Sequence, residues 1–177
     1  MSTCALVTGA NGFVGGHLVE HLVHQGLQVR ALVHSSSNSR LREADGVETI
    51  RGDIRNSRVV EKAAQGCEQV YHLAGKTSRT ADSPQECYAV NVDGAKNVAR
   101  AARKAGSRRV VYGSSVGVYG LLTDPPANEQ TRPRPNTHYR RSKWMGEEVF
   151  RTHHDRNGLP AVIARLPSLL GPGTRNW

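Results

Sequence analysis

Residues 5–15 read Ala5-Leu6-Val7-Thr8-Gly9-Ala10-Asn11-Gly12-Phe13-Val14-Gly15, an apolar run that leads into three glycines spaced three residues apart. An amphipathic stretch follows, so the pattern predicts a strand, a tight loop and a helix. Glycines in such a loop let the backbone approach a pyrophosphate, and the N–H groups of the helix N-terminus face its charge. The general dinucleotide fingerprint is G-x-G-x-x-G, whereas the first gap here holds two residues.

Short apolar runs and amphipathic stretches alternate along almost the whole chain. We predict strands at 4–8, 28–33, 47–50, 69–73, 109–113 and 161–165, and helices at about 13–25, 57–65, 85–105 and 138–156, with a weaker helix near 38–44. This alternation predicts an α/β fold, a Rossmann-type doubly wound parallel sheet in three α/β/α layers. The longest irregular segment, 120–137, is expected to lie over the carboxyl edge of the sheet, where ligands bind in such folds.

Composition indicates one soluble globular domain spanning residues 1–177, with 37% hydrophobic and 22% charged residues. No apolar run approaches the roughly 18 residues of a membrane span, and no basic segment followed by an apolar one marks a secretory signal. Cys4, Cys67 and Cys87 form an odd set without a C-x-x-C pair, so reduced thiols in the cytoplasm are expected rather than a disulfide framework.

The net charge of +9 raises the question of nucleic-acid binding. Basic residues concentrate at 100–109 and 132–143, but these stretches lack interleaved aromatic residues that would stack on bases. Solvated helix faces and attraction for an anionic dinucleotide explain the charge, so we expect no nucleic-acid partner.

A zinc-protease pattern, H-x-x-E-H, spans His17 to His21. Two histidines four residues apart are suited to zinc. However, they lie on the polar side of a helix whose start faces the glycine loop, and the positions indicate no third ligand. We therefore expect no metal site.

The end of the second predicted strand bears on the choice of cofactor. NAD-specific sites usually place Asp or Glu there to bond the adenine ribose, and that carboxylate would repel a 2′-phosphate. Val33 occupies the position here, and His34, Ser35, and Arg40 or Arg42 are candidates to contact a phosphate. The pattern favours NADP, with NAD as the alternative if the strand end is merely neutral.

Tyr139 and Lys143 are four residues apart and therefore share one face of a predicted helix. A phenol has a pKa near 10, too high for a base at neutral pH. A neighbouring ammonium, together with the positive charge of an oxidised nicotinamide, favours the phenolate and lowers that pKa. A serine at the end of the fifth strand, Ser115 or its neighbour Ser114, would bond the substrate oxygen and orient it toward Tyr139.

Taken in order, these motifs resemble the extended short-chain dehydrogenase/reductases over essentially all 177 residues. The glycine loop, Gly52-Asp53-Ile54, His72-Leu73-Ala74-Gly75, the helix around Asn91, the serines before Tyr119-Gly120, Tyr139-x-x-x-Lys143 and the Gly171-Pro172-Gly173 segment all have counterparts. The likeness is strongest to nucleotide-sugar epimerases, dehydratases and dihydroflavonol-reductase-like enzymes. The missing acid after the second strand favours the last group.

The resemblance implies a role for each matching residue. Tyr139 would be the general acid/base, Ser115 would position the substrate oxygen, Lys143 would tune Tyr139 and bind ribose, and Asn91 would act structurally or in a proton relay. Asp53 would meet the adenine ring, and the Pro167 backbone would lie near the nicotinamide carboxamide. The implied cofactor-binding residues are Gly9, Asn11, Gly12, Phe13, Val14, Gly15, His34, Ser35, Asp53, Ile54, Leu73, Ala74, Gly75, Ser114, Tyr139, Lys143 and Pro167.

The implied reaction is hydride transfer between nicotinamide and a secondary alcohol or ketone, including one on a nucleotide sugar. Members of this group carry a further C-terminal lobe that selects the substrate, and we expect that lobe to be absent from this chain. The alternative is a non-catalytic NAD(P)-binding protein or an inactive fragment. Homodimerisation through the helices at 85–105 and 138–156 is also expected.

Overall fold

The computed structural model describes residues 3–34, 45–77, 80–121 and 125–173. Six strands form one sheet: β1 (Cys4–Thr8), β2 (Gln28–Val33), β3 (Val47–Arg51), β4 (Gln69–His72), β5 (Arg109–Ser115) and β6 (Ala161–Leu166). Every neighbouring pair is parallel, in the order β3-β2-β1-β4-β5-β6. This order confirms the predicted Rossmann-type doubly wound sheet.

The helices are α1 (Phe13–His24), α2 (Ser57–Ala64), α3 (Pro84–Tyr88), α4 (Gly94–Lys104) and α5 (His138–Asn157). The predicted helix at 85–105 is not regular throughout, because a π-helical segment at Ala89–Asp93 separates α3 from α4. A π turn often marks a functional site, and this one contains Asn91. The weaker predicted helix near 38–44 lies outside the described residues.

Alternating side chains of the strands build two apolar layers, one on each face of the sheet. Leu6 of β1 packs with residues of α2, α4 and α5, whereas Ala5 and Val7 of the same strand pack with residues of α1. Helices therefore cover both faces, which gives the predicted α/β/α layers. The carboxyl ends of the strands meet at one edge, where the predicted site residues follow β1, β4 and β5.

Helix α5 has well-defined ends. The Thr137 hydroxyl caps its start by accepting a hydrogen bond from the Arg140 backbone N–H, at 3.2 Å. Gly158 ends the helix in the left-handed conformation, with φ of 66°. Because the start is fixed by this cap, Tyr139 and Lys143 lie in the first two turns, at the carboxyl edge of the sheet.

Within the described ranges, no helix combines the length and apolar character that crossing a bilayer requires. All three cysteines are free thiols. The described residues also contain no group of three or more side chains suited to holding a metal ion.

Candidate functional site

The glycine loop passes very close to the segment that follows β4. Gly9 has φ of +70°, and a Cβ added there would lie 2.6 Å from the Ala74 backbone nitrogen. A Cβ on Gly15 would collide with the Gly9 carbonyl oxygen. Only glycine therefore fits at these two positions. No side chain caps the start of α1 at Gly12, so the helix presents backbone N–H groups at this edge.

A first cavity of about 240 Å³ opens beside this loop. Nine predicted cofactor-binding residues line it: Gly9, Asn11, Gly12, His34, Asp53, Ile54, Leu73, Ala74 and Gly75. The sheet order explains the grouping, because β1, β2 and β4 are neighbours and their carboxyl ends share one edge. The predicted contacts Ser35, Arg40 and Arg42 lie outside the described residues.

Asp53 in the wall of this cavity is paired with Arg55 and approached by His34. Arg55 donates from Nε and Nη2 to Asp53 Oδ2 at 2.8 and 2.5 Å, and His34 Nε2 lies 3.5 Å from the same oxygen. The hydrogen bond from Arg55 is the main cause that holds the pKa of Asp53 below its usual value. Arg55 is not among the site residues predicted from the sequence, although the turn at Asp53, whose Oδ1 accepts from the Arg55 N–H, is a local signal.

A second cavity, of about 250 Å³, holds the predicted catalytic residues Ser115, Tyr139 and Lys143 together. Val14, Ser114 and Pro167 from the predicted cofactor set also line it. The two cavities share Leu73, Gly75 and Lys76 in their walls, so they adjoin. The loop after β4 is thus the common floor of both.

Tyr139 and Lys143 respond differently to burial. Burial raises the pKa of Tyr139, and a hydrogen bond with Ser115 opposes that rise. Burial lowers the pKa of Lys143 to about 8, and the nearby Glu147 opposes that fall. The Lys143 ammonium lies 4.5 Å from the centre of the Tyr112 ring. The lowered pKa that we predicted for Tyr139 is therefore not a property of the protein alone.

Asn91 lies buried beneath the second cavity, and its side chain fastens the loop after β4. Its Oδ1 accepts from the Lys76 N–H at 2.8 Å, while Nδ2 donates to the Lys76 carbonyl at 2.9 Å and to Ser142 Oγ at 2.8 Å. The oxygen and the nitrogen of the Asn91 side chain are thus both hydrogen-bonded, to the backbone of Lys76 and to Ser142 of α5. These bonds fit the structural role among the two that we considered.

Ser114 lines the second cavity, and its hydroxyl donates a 2.6 Å hydrogen bond to Glu147 Oε1. Arg165 of β6 donates to both oxygens of the same carboxylate. Glu147 and Arg165 are not among the site residues predicted from the sequence. The position of Glu147 four residues after Lys143, on the same helix face, was an available signal.

Two predicted residues of the glycine loop have packing roles. Gly15 packs against Gly9, and the Phe13 ring meets His17 edge-on at 5.3 Å. His17 in turn pairs with Glu20 at 3.6 Å and bonds the Pro172 carbonyl at 3.1 Å. The H-x-x-E-H stretch is therefore engaged in surface contacts.

His72 is fully buried between the sheet and α5. Its Nδ1 lies 2.7 Å from Thr8 Oγ1, and its ring stacks on that of Tyr112. Burial lowers the pKa of His72 to about 3, so the imidazole is neutral at physiological pH. His72 is a core residue, and we assign it no chemistry.

A larger cavity of about 610 Å³ lies between α5 and β6, with Tyr119, Phe150 and Arg165 among its lining residues. Among the described residues that line this cavity, none is a predicted site residue. We therefore place the candidate site in the two adjoining cavities at the glycine loop.

A glycine loop closing on the strand-four segment, beside a Ser-Tyr-Lys group, is typical of Rossmann-type short-chain dehydrogenase/reductases. The model of the NAD dependent epimerase/dehydratase family matches residues 5–176, and the chain belongs to this family. A dihydroflavonol 4-reductase-like protein of Synechocystis sp. is 34% identical over 97% of this chain and 51% of its own length. The chain thus spans about half the length of this curated relative.

Solved structures agree with the family assignment. A short-chain dehydrogenase/reductase superfamily protein from Agrobacterium tumefaciens, with bound NAD, has a TM-score of 0.83 and 32% identity over 92% of this chain and 48% of its own. The Thermus thermophilus UDP-glucose 4-epimerase in complex with NAD has a TM-score of 0.82 and 31% identity over 92% of this chain and 54% of its own.

Proposed function

We propose that this chain supplies the dinucleotide-binding and proton-transfer site of a nicotinamide-dependent oxidoreductase or sugar epimerase/dehydratase. The observation that carries the proposal is the grouping of Ser115, Tyr139 and Lys143 on one cavity that adjoins the glycine-loop cavity. Hydride chemistry needs such an arrangement, because the cofactor's reactive ring and a proton-transfer group must meet at one substrate carbon–oxygen bond.

The residues of the two cavities fit a dinucleotide. Side chains on Gly9 and Gly15 would fill the turn that lets the backbone approach a pyrophosphate, and the N-terminus of α1 favours its charge. Asp53 would meet the adenine, Lys143 would bond the nicotinamide ribose, and Pro167 would lie beside the carboxamide. A bound nicotinamide dinucleotide would supply the hydride donor or acceptor.

Tyr139 moves the proton in this proposal. Its hydroxyl gives a proton to the substrate oxygen when a ketone is reduced and takes one when an alcohol is oxidised. Ser115 donates a hydrogen bond to the same oxygen and holds it toward Tyr139. Since burial raises the pKa of Tyr139, the positive charge of Lys143 is needed to make proton loss from the phenol easier.

We infer that NADP is accepted and favoured over NAD. The end of β2 carries no acid, and the carboxylate that faces this corner, Asp53, is paired with Arg55 and approached by His34. This pairing offsets the negative charge that would repel a 2′-phosphate. The solved relatives with bound NAD support nicotinamide dinucleotides as a class.

The substrate class we propose is a secondary alcohol or ketone, including one on a nucleotide sugar, as the name of the Thermus relative suggests. We also propose a homodimer through α4 and α5, which pack side by side. Sizing with light scattering tests the dimer, and a monomer at micromolar concentration would reject it.

The decisive experiment is a titration of the purified chain with NADPH and with NADH, followed by nicotinamide fluorescence. Saturable binding, stronger for NADPH, is expected. Absence of binding by either cofactor would refute the proposal. Normal binding with no effect of Tyr139→Phe on any activity would instead support the alternative, a non-catalytic dinucleotide-binding protein.

A further inference from the structure

Glu147 is a buried carboxylate for which the reaction proposed above has no direct use. It lies on α5 with 0% exposure. Ser114 Oγ donates to its Oε1 at 2.6 Å, while Arg165 donates from Nε to Oε1 at 2.9 Å and from Nη2 to Oε2 at 2.7 Å. Arg151, one turn further along α5, also donates to Oε2, at 3.4 Å. A buried charge is costly unless it is paired and hydrogen-bonded, and here two elements besides α5 contribute to the pairing.

The three elements that meet at this carboxylate are the ones that carry the proposed chemistry. Ser114 immediately precedes Ser115 at the end of β5. Glu147 follows Lys143 by one helical turn on α5. Arg165 stands two residues before Pro167, at the end of β6.

We propose that Glu147 is a positioning residue, whose contacts with Ser114 and Arg165 hold the ends of β5 and β6 against α5 and so keep Lys143 placed and charged in the second cavity. This inference rests on the proposed function, since it assigns Glu147 a task within that site. In this proposal, Glu147 itself contacts neither the substrate nor the cofactor.

Arg165 also connects Glu147 to residues of the segment that follows β5. Its Nη1 donates to the Tyr119 hydroxyl at 2.8 Å, and its guanidinium lies 4.7 Å from the centre of that ring. The Tyr119 hydroxyl donates to the Asn128 carbonyl at 2.8 Å. The network therefore also anchors part of the irregular segment beside the site.

The negative charge of Glu147 acts on Lys143 in surroundings that hold other titratable side chains. Three other titratable groups face it, from α3, β4 and β5: Cys87, His72 and Tyr112. Tyr139 of its own helix lines the same cavity. The pKa of His72 is lowered and that of Tyr112 is raised by burial, so both are neutral at physiological pH. Glu147 is the carboxylate of this set, and it opposes the burial that lowers the pKa of Lys143 to about 8.

A purely structural ion pair would stabilise the fold without altering Lys143, so the test must measure Lys143 itself. The chain has five lysines, Lys62, Lys76, Lys96, Lys104 and Lys143. In protein labelled with ¹³Cε-lysine, each gives its own NMR resonance, and Lys143→Arg identifies the one of interest. Its chemical shift is followed across pH without cofactor or turnover.

We expect the Lys143 midpoint near 8 in the unaltered chain and a lower midpoint in Glu147→Gln. Glu148→Gln is the matched control, since it makes the same change one residue away on the exposed side of α5, and it should leave the midpoint in place. If the Lys143 midpoint is the same in folded Glu147→Gln as in the unaltered chain, the positioning role is wrong.

Glu147→Gln leaves Arg165 without its carboxylate partner and risks misfolding, whereas Arg151 keeps its contact with Glu148. The double variant Glu147→Gln/Arg165→Met removes both charges of the Glu147–Arg165 pair, which is often tolerated for a buried pair. The lowered midpoint should persist in it, because the lost carboxylate is the group that raised the pKa of Lys143. An unchanged midpoint there would also overturn the inference. The dinucleotide titration is separate: failure of the unaltered chain to bind either cofactor would refute the proposed function, whatever the Lys143 titration gives.

Discussion

Tyr139 and Lys143 lie one turn apart at the start of α5, and burial moves their pKa values in opposite directions: it raises that of Tyr139 from its usual value and lowers that of Lys143 to about 8. Burial thus disfavours the charged form of both side chains. In the reaction that we propose, the positive charges of Lys143 and of an oxidised nicotinamide would oppose this effect for Tyr139 as it loses its proton. The proposed task of the pair is proton exchange with a substrate oxygen.

Tyr139→Phe removes the hydroxyl that we propose exchanges the proton, while keeping the ring. Dinucleotide affinity should stay close to that of the unaltered chain, and turnover should fall by about 10²–10⁴-fold, the usual contribution of general acid–base catalysis. The measurement is nicotinamide absorbance with a panel of ketones and nucleotide sugars. Tyr71→Phe is the control, since the Tyr71 hydroxyl donates to Gln69 instead. Equal turnover in Tyr139→Phe and the control would contradict the assignment.

Gly9→Ala should abolish or strongly weaken dinucleotide binding, because its Cβ would lie 2.6 Å from the Ala74 nitrogen and push the loop off the strand-four segment. Gly26→Ala is a close match, with φ of +78° against +70°, but nothing lies within 4 Å of its Cβ position. The two variants carry similar backbone strain and differ in the collision. Fluorescence titration of both gives the answer: equal loss of affinity would show that the loop is not the binding turn.

Much of this arrangement could be predicted from sequence because the relevant signals are local. The run Ala5 to Thr8 and the spacing of Gly9, Gly12 and Gly15 predict a strand and a turn, and parallel strands bring their carboxyl ends to one edge. Tyr139 and Lys143 share a face by helical geometry alone.

The features that the sequence did not predict depend on contacts between distant segments of the chain. Glu147 and Arg165 are 18 residues apart, and only the packing of α5 on β6 joins them. The π turn at Ala89–Asp93 interrupts a pattern that reads as one helix, and the Asn91 side chain within it bonds the backbone of Lys76. Periodicity reports which face of a helix is buried, and it does not report such polar contacts.

His72 gives a pH dependence of stability with a definite sign. Its pKa is lowered to about 3 in the fold, so the unfolded chain binds the proton more readily, and stability falls as pH drops from about 6.5 toward 3. The slope from this one group reaches about 1.4 kcal/mol per pH unit within that window. In urea unfolding, the free energy of unfolding of His72→Gln should fall less steeply with decreasing pH than that of the unaltered chain. His21→Gln, at an exposed position, should show the same slope as the unaltered chain. If the free energy of unfolding of His72→Gln depends on pH in the same way as that of the unaltered chain, His72 is not a neutral buried side chain.

Arg55→Ala should shift cofactor preference away from NADPH. The Arg55 side chain pairs with Asp53 through two hydrogen bonds. Its removal leaves the carboxylate with the backbone N–H of residue 55 and the approach of His34, and with no guanidinium beside it among the contacts described for Asp53. The exposed negative charge repels a 2′-phosphate more than a 2′-hydroxyl, so NADPH affinity should fall more than NADH affinity. The ratio of the two Kd values measures this, with Arg58→Ala as a control at an exposed position of α2. Because Asp53 is partly exposed, the shift should shrink as salt is added. An unchanged ratio in Arg55→Ala would place the 2′-position away from Asp53 and leave the strand-end residues His34 and Ser35 to decide between the two dinucleotides.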